Sequence, residues 1–296
     1  MTTIYARVTR REFVRLSASF AAPLSAMIAL PRRTRPIATA PALRIGVVEP
    51  AAKPTRDHEL GIALGVDEAR HAAQLFGGSI EIVPVARPDD ENRRLSAIIG
   101  GGDTDCAAWG AHAAKMGNVY LNVGCTADAL RGRQCSAAAF HVIPSDAMYR
   151  DAIAMVGGSS GDEATAWEPT LSRFGADTLN QRFRTRFQTG MTSLGWAAWM
   201  AVKILWESAL RQKSGEGSAI GTYLTRENTQ FDGHKGQPLS FRLWDHQLRQ
   251  PIYVVSNDKN KSQRVREVPE LTDGSLRDVL DELGNNRASS TCALGK

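Results

Sequence analysis

The residues of this chain best suited to chemistry are glycines and small hydroxyls at the ends of apolar runs. Gly100, Gly101, Gly102, Asp103 and Thr104 lead from one such run into a helical pattern. The free N–H groups and the dipole at a helix start favour a carboxylate or another small anion. Gly124, Cys125 and Thr126 follow the next apolar run in the same manner, and the segment Ala51, Ala52, Lys53, Pro54, Thr55, Arg56 follows the first, offering Arg56 as a cation. Asp103 counts against an anion, because it sets a carboxylate beside the site. The same residues serve equally as the turn glycines and caps that any parallel α/β lobe needs.

Signals for catalysis are poor. The six histidines, His58, His71, His112, His141, His234 and His246, show no paired metal spacing. No serine stands in a nucleophile-elbow motif, and no glycine-lysine phosphate loop is present. Asp103, Asp105 and Cys106 read as a solvated cap rather than a metal trio. Asp245 beside His246 reads as a candidate acid–base pair. The expectation is therefore a protein that is not an enzyme and that holds no cofactor or metal.

The elements that must position the glycine loops alternate regularly. Leu43 to Val48 reads as an apolar strand, and Asp57 to Phe76 as a helix closed by Gly77 and Gly78. Ile80 to Val85 and Leu95 to Ile99 are strands, Thr104 to Met116 a helix with Asp103 and Thr104 as candidate caps, and Val119 to Val123 a fourth strand. Ala139 to Ile143 closes the set, and Pro144, Ser145 and Asp146 mark a crossing. Strands and helices in alternation with short connections give a parallel sheet covered on both faces. The second half is less regular: Asp146 to Val156, Leu179 to Phe187 and Met191 to Arg211 are helical, and Trp196 and Trp199 in the last of these read as core packing.

From Phe231 to Val255 the chain reads as a strand pair. Gly233 and Gly236 supply turn angles, and Leu239, Phe241 and Leu243 alternate with Ser240 and Arg242. A second strand runs from Ile252 to Val255, with Trp244, Asp245, His246, Gln247 and Arg249 as the polar loop of a surface hairpin.

As a string, this block resembles the C-terminal region of type I periplasmic substrate-binding proteins of branched-chain amino acid ABC transporters. The likeness is strongest to the subgroup associated with quinoprotein, PQQ-dependent alcohol dehydrogenase systems. It is carried by Trp196, Ala197, Ala198 and Trp199, by the run Lys235, Gly236, Gln237, Pro238, Leu239, Ser240, Phe241, Arg242, and by Gln247, Leu248, Arg249, Gln250, Pro251. The resemblance implies two lobes with a ligand between them. It matches Thr104 to a hydroxyl that assists the carboxylate contact, and Thr126 to the threonine that binds the amino acid carboxylate or amine. It also implies a disulfide between Cys135 and Cys292, whereas the four cysteines alone allow three pairings and leave Cys106 and Cys125 open.

The chain departs from that pattern where the second lobe begins. Only about ten residues separate Ala154 from Ala166, too few for a parallel crossover connection. Residues that would close over a ligand amino group have no counterpart here.

The leader decides the compartment and the charge. Thr9, Arg10, Arg11, Glu12, Phe13, Val14, Arg15 and Leu16 fit the twin-arginine export pattern, and a weakly apolar run from Ser17 to Leu30 ends at Pro31. Seven arginines against Glu12 give the first 42 residues a net charge of +6, so the rest of the chain carries −1 of the formal +5. The basic pI of the whole chain thus says nothing for nucleic acid or a membrane surface.

These readings give an α/β fold of periplasmic binding protein-like I type, with one complete three-layer parallel-sheet lobe and a reduced second lobe. The expected division is an export signal over 1–42, a first lobe over 43–144 and 190–228, and a second over 145–189 and 229–268. A tail over 269–296 reads as disordered beyond Leu283 apart from Cys292. The expected function is periplasmic solute binding for an ABC importer, with a small polar or amino-acid-like ligand, a membrane permease as partner and no nucleic acid. The alternative is an accessory interaction protein of a quinoprotein dehydrogenase system. Candidate ligand-binding residues are Gly102, Thr104, Gly124, Thr126 and Arg56.

Overall fold

A computed structural model describes residues 41–48, 56–88, 94–101, 105–159, 161–257, 263–268 and 276–294. Its centre is a sheet of five short apolar strands, β1 (Ala42–Val48), β2 (Ser79–Val85), β3 (Ala97–Gly100), β4 (Val119–Asn122) and β5 (Ala139–His141). They stand in the order β2-β1-β3-β4-β5, and every pairing is parallel. Side chains alternate across the sheet. Leu43, Ile45, Ala97, Ile99, Val119 and Leu121 enter one core, while Val48, Ile98 and Tyr120 enter another.

Helix α1 (Arg56–Phe76) carries the chain from β1 outward to β2, and α2 (Cys106–Met116) carries it from β3 the other way to β4. With right-handed crossovers this sets the two helices on opposite faces. The strand order reverses between β1 and β3, and in open α/β sheets such a reversal marks the C-terminal edge at which ligands bind.

The larger core is completed by α4 (Ala176–Phe187), α5 (Ser193–Gln212) and α6 (Gly217–Leu224). Helix α5 is apolar on nearly every side because it is enclosed: Trp196, Ala197, Ala198, Trp199, Met200, Ala201 and Val202 are all buried. It lies directly on α1. A Cβ on Gly61 would fall 2.1 Å from the Gly195 carbonyl oxygen, so the backbones meet where neither helix carries a side chain. Trp196 and Trp199 are core, as their spacing suggested, and Trp196 stacks on Trp167 at 5.9 Å.

Helix α3 (Asp146–Met155) starts a second, smaller core. It packs with β6 (Glu163–Thr165), β10 (Ile252–Asn257), β11 (Gln263–Val268) and α7 (Leu276–Glu282) through Met148, Ala152, Ile252, Val254, Val268, Leu280 and Leu283. The sheet here is β11-β10-β6, antiparallel throughout. The ranges expected for the second lobe therefore mix two cores. Helix α4 and the small sheet of β7 (Phe231–Asp232), β8 (Pro238–Phe241) and β9 (Leu248–Arg249) share the larger one.

Two expectations need correction. The stretch 231–255 is not one surface hairpin: β8 pairs with β7 and β9, whereas β10 pairs with β6 and β11 in the other sheet. Its polar connection is buried, with Asp245, His246, Gln247, Arg249 and Gln250 all at most 4 % exposed. The tail beyond Leu283 is also ordered as far as residue 294. Gly284 N donates to Asp151 Oδ2 at 2.7 Å, Trp244 Nε1 donates to Asn285 O at 3.3 Å, and the Cys135–Cys292 bond fixes its end.

Both disulfides form, Cys106 with Cys125 and Cys135 with Cys292. The second spans 157 positions, with Cα atoms 5.7 Å apart. A cross-link over such a span stabilises by about 2–4 kcal/mol, largely by restricting the unfolded chain.

Candidate functional site

The C-terminal edge of the five-stranded sheet is built by backbone contact between two loops. A Cβ on Gly101 would lie 2.2 Å from the Gly124 nitrogen, so only glycine lets the β3 and β4 loops touch. Asn122, the fully buried last residue of β4, then organises its own loop. Its Oδ1 accepts from Gly124 N at 3.1 Å and Cys125 N at 2.8 Å, and its Nδ2 donates to Cys125 O at 2.8 Å. Nδ2 also lies 3.0 Å from His141 Nδ1. Burial first, then the Arg131 charge and His246, holds the His141 imidazole well below its usual range, so the ring is neutral and accepts there.

This geometry alters the anion pocket expected from the sequence. The Gly124 amide is committed to Asn122 rather than to a ligand. The start of α2 is also occupied: Asp105 is its N-cap, accepting from Ala108 N at 3.0 Å, in place of the expected Asp103 or Thr104. A carboxylate already sits on that helix dipole. Gly102 and Thr104 lie outside the described residues. Thr126 is half-buried beside the loop, its carbonyl accepting from Asp146 N at 2.9 Å at the head of α3, and among the described residues its hydroxyl has no hydrogen-bond partner. Arg56 is the exposed first residue of α1.

The chain passes between the two cores at three places, residues 142–145, Ala166–Trp167 and Gln250–Pro251, and buried polar side chains tie all three. Gln250 Nε2 donates to Val142 O at 2.5 Å. Lys235 is fully buried, and its Nζ donates to Ala166 O at 2.5 Å, Gln250 Oε1 at 2.8 Å and Pro251 O at 3.0 Å. The ammonium also lies 3.9 Å from the centre of the Trp196 ring. Burial pushes its pKa well down.

Arg131 does the same work nearer the site. Its Nε donates to Gln247 Oε1 at 2.9 Å and its two amino groups to Cys125 O at 2.9 Å and Ile143 O at 2.7 Å. Burial lowers its pKa to about 10, against the opposing pull of Asp245. Gln247 Nε2 reaches His141 O at 3.1 Å and Ile143 O at 3.2 Å. These groups are saturated by backbone carbonyls, so they fix the junction rather than present chemistry to a ligand. Asp245 and His246 are part of this packing. The His246 ring lies flat on Phe140 at 4.4 Å, and burial brings its pKa down to about 4.

Asn122 and Arg131 carried no signal in the sequence. Lys235, Gln247 and Gln250 lay inside the run of residues that carried the family resemblance, yet nothing in their spacing distinguished a buried tie from an exposed loop. Among the described residues no three His, Cys, Asp or Glu side chains cluster as a metal site, and no helix is long and apolar enough to cross a membrane.

No protein-family model matches the chain, and no curated protein matches it. Solved structures do. A periplasmic binding protein from Burkholderia mallei superposes with a TM-score of 0.68 at 12 % identity, over 86 % of this chain and 99 % of that one. The branched-chain amino acid transporter substrate-binding protein LivJ of Streptococcus pneumoniae, in complex with isoleucine, gives 0.59 at 14 % identity, over 76 % and 99 %. A solute-binding protein of an ABC transporter from Rhodopseudomonas palustris, in complex with benzoate, gives 0.59 at 10 % identity, over 77 % and 95 %. The fold is α/β, with a parallel sheet matching the type I periplasmic binding proteins, and two of these three neighbours are described as substrate- or solute-binding proteins of transporters.

Proposed function

We propose that the chain is a periplasmic solute-binding protein of an ABC importer, or a degenerate homologue of one, taking a small polar or amino-acid-like ligand beside Thr126. The observation that carries this reading is the strand-order reversal between β1 and β3, the place where open α/β sheets take ligands. From the same edge the chain leaves β5 for the second core. The partner on this reading is a membrane permease, and Arg56 and the Gly102–Thr104 loop complete the ligand set. The short connection from α3 to β6 supports a reduced second lobe that supplies few closing contacts.

Binding is expected to be weak. With the Gly124 and Cys125 amides held by Asn122 and the α2 start held by Asp105, two or three charge-assisted bonds of about 1.5–3 kcal/mol each are missing, which lowers affinity by several orders of magnitude. Calorimetry with isoleucine should give a dissociation constant of roughly 0.1 mM or weaker, and Thr126→Ala should abolish the signal. Submicromolar affinity that survives Thr126→Ala would show that the site is placed wrongly.

A second reading, an accessory interaction protein of a PQQ-dependent alcohol dehydrogenase system, is favoured by the same occupied amides and by the residues shared with that subgroup. A folded protein whose melting point is unmoved by amino acids, short-chain acids, alcohols and the quinone cofactor would support it. Both readings place the chain in the periplasm by the twin-arginine route. Arg10→Lys with Arg11→Lys should then retain it in the cytoplasm on fractionation, and unchanged periplasmic yield would exclude that route.

A further inference from the structure

Away from the sheet-edge loops, a cleft of about 400 Å³ opens between two turns, lined by Phe174, Gln230, Asp232, Gly236, Gln237 and Pro238 among others. Its size suits a small ligand. None of the candidate residues at the sheet edge, Thr126 included, lines it.

The two turns are unusual in their backbone. Phe174 at φ 57°, Gly175 at 82°, His234 at 57° and Gly236 at 79° are all left-handed. They hold one another: a Cβ on Gly175 would fall 2.9 Å from His234 Nδ1, and one on Gly236 would fall 2.5 Å from the Phe174 ring. Left-handed backbone costs a bulky residue such as phenylalanine about 1–2 kcal/mol. Burial does not offset that cost, since Phe174 stays 44 % exposed. Strain retained at an exposed aromatic in a cleft is the pattern of a prepared binding surface.

The polar groups define what would fit. Gln237 Nε2 is buried without a hydrogen-bond partner, a donor that lacks an acceptor. The Asp232 side chain is 70 % exposed; its Oδ1 accepts from His234 N at 2.9 Å, and its Oδ2 stands 4.0 Å from His234 Nδ1. The Arg173 guanidinium lies 4.6 Å from the Phe174 ring centre, which disfavours a cationic ligand there, while Asp232 disfavours an anion. One acceptor and one donor on a neutral, flat molecule satisfy all of these groups.

We propose that this cleft binds a flat ring bearing a primary carboxamide, whose oxygen accepts from Gln237 Nε2, whose NH2 donates to Asp232 and whose ring lies against Phe174. Titration of the exported protein with benzamide, benzoate and benzamidine, followed by ligand-observed NMR and calorimetry, separates the possibilities. Benzamide should saturate with a dissociation constant on the order of 1 mM, and benzoate and benzamidine should bind at least about tenfold more weakly. Gln237→Leu should weaken benzamide about tenfold, and Asp232→Asn should bring benzoate to within about threefold of benzamide, since the carboxylate that repels it is gone. Asparagine keeps the oxygen that accepts from His234 N, so the turn survives the change. Absence of saturable benzamide binding, equal binding of all three probes, or binding unaffected by Gln237→Leu in a protein with native circular dichroism would overturn the proposal.

Discussion

Lys235→Met is expected to lower the unfolding free energy by about 3–5 kcal/mol, read as a shift of the urea midpoint by circular dichroism. The chain length of methionine fills the same space, so little of the loss comes from a cavity. It comes from Ala166 O, Gln250 Oε1 and Pro251 O, three buried acceptors left without their donor, and from the lost cation on Trp196. A buried acceptor stripped of its partner costs about 1–3 kcal/mol. A loss below about 1 kcal/mol would mean that water or a shifted side chain replaces the ammonium, and that Lys235 does not secure the crossings.

Acid should destabilise the protein well above the range in which carboxylates titrate. His246 is neutral in the folded state because burial brings its pKa down to about 4, whereas the unfolded chain has the ordinary value of 6.5. Between these values the unfolded state binds the proton and the folded state does not. The stabilisation is therefore fully present above about pH 6.5 and is lost as pH falls toward 4, amounting to about 3 kcal/mol from this group. His141 and His58 shift in the same direction, each chiefly through burial, and add to the slope. Urea midpoints measured at pH 7.5, 5.5 and 4.5 should fall in that order. His246→Asn, which tolerates the left-handed backbone of φ 52° at this position, should flatten the fall. An equally steep fall in that variant would assign the acid sensitivity to other groups.

The parallel sheet was legible because each strand is a short apolar run and each is followed by a helix with its own period. Strands β1 to β4 were expected within a residue or two of where they stand. What failed to show was the state of polar residues. Asp245, His246, Gln247 and Arg249 look in sequence like a solvated turn, since hydropathy does not distinguish a polar group satisfied by buried carbonyls from one satisfied by water. The pairing of Leu239–Phe241 with Ile252–Val255 was inferred from proximity in the chain. Gln250 and Pro251 stand between them, and there the backbone leaves one core for the other, so the true partners of β10 are the short β6 and the charged β11.

The sheet-edge turns at Gly101 and Gly124 were legible, and the commitments of the backbone amides around them were not. The glycines at 101 and 124 do mark the sheet edge, and Thr126 stands beside it. That Asn122 consumes the amides of Gly124 and Cys125, and that Asp105 rather than Asp103 or Thr104 caps α2, depends on side-chain directions that residue types alone do not fix.

The Cys135–Cys292 bond begins before the first passage between the cores and ends after the last. All three passages, and the whole of the smaller core, therefore lie within one closed covalent ring. A single peptide-bond cut in an exposed turn of that ring, such as the one around Gly157 and Gly161, leaves a molecule whose two pieces still share a cystine. One nick therefore releases no part of the smaller core: β10, β11 and α7 leave only after cuts on both sides of them, or after one cut and a reductant. The chain thus keeps its composition after a single cleavage for as long as that one bond survives.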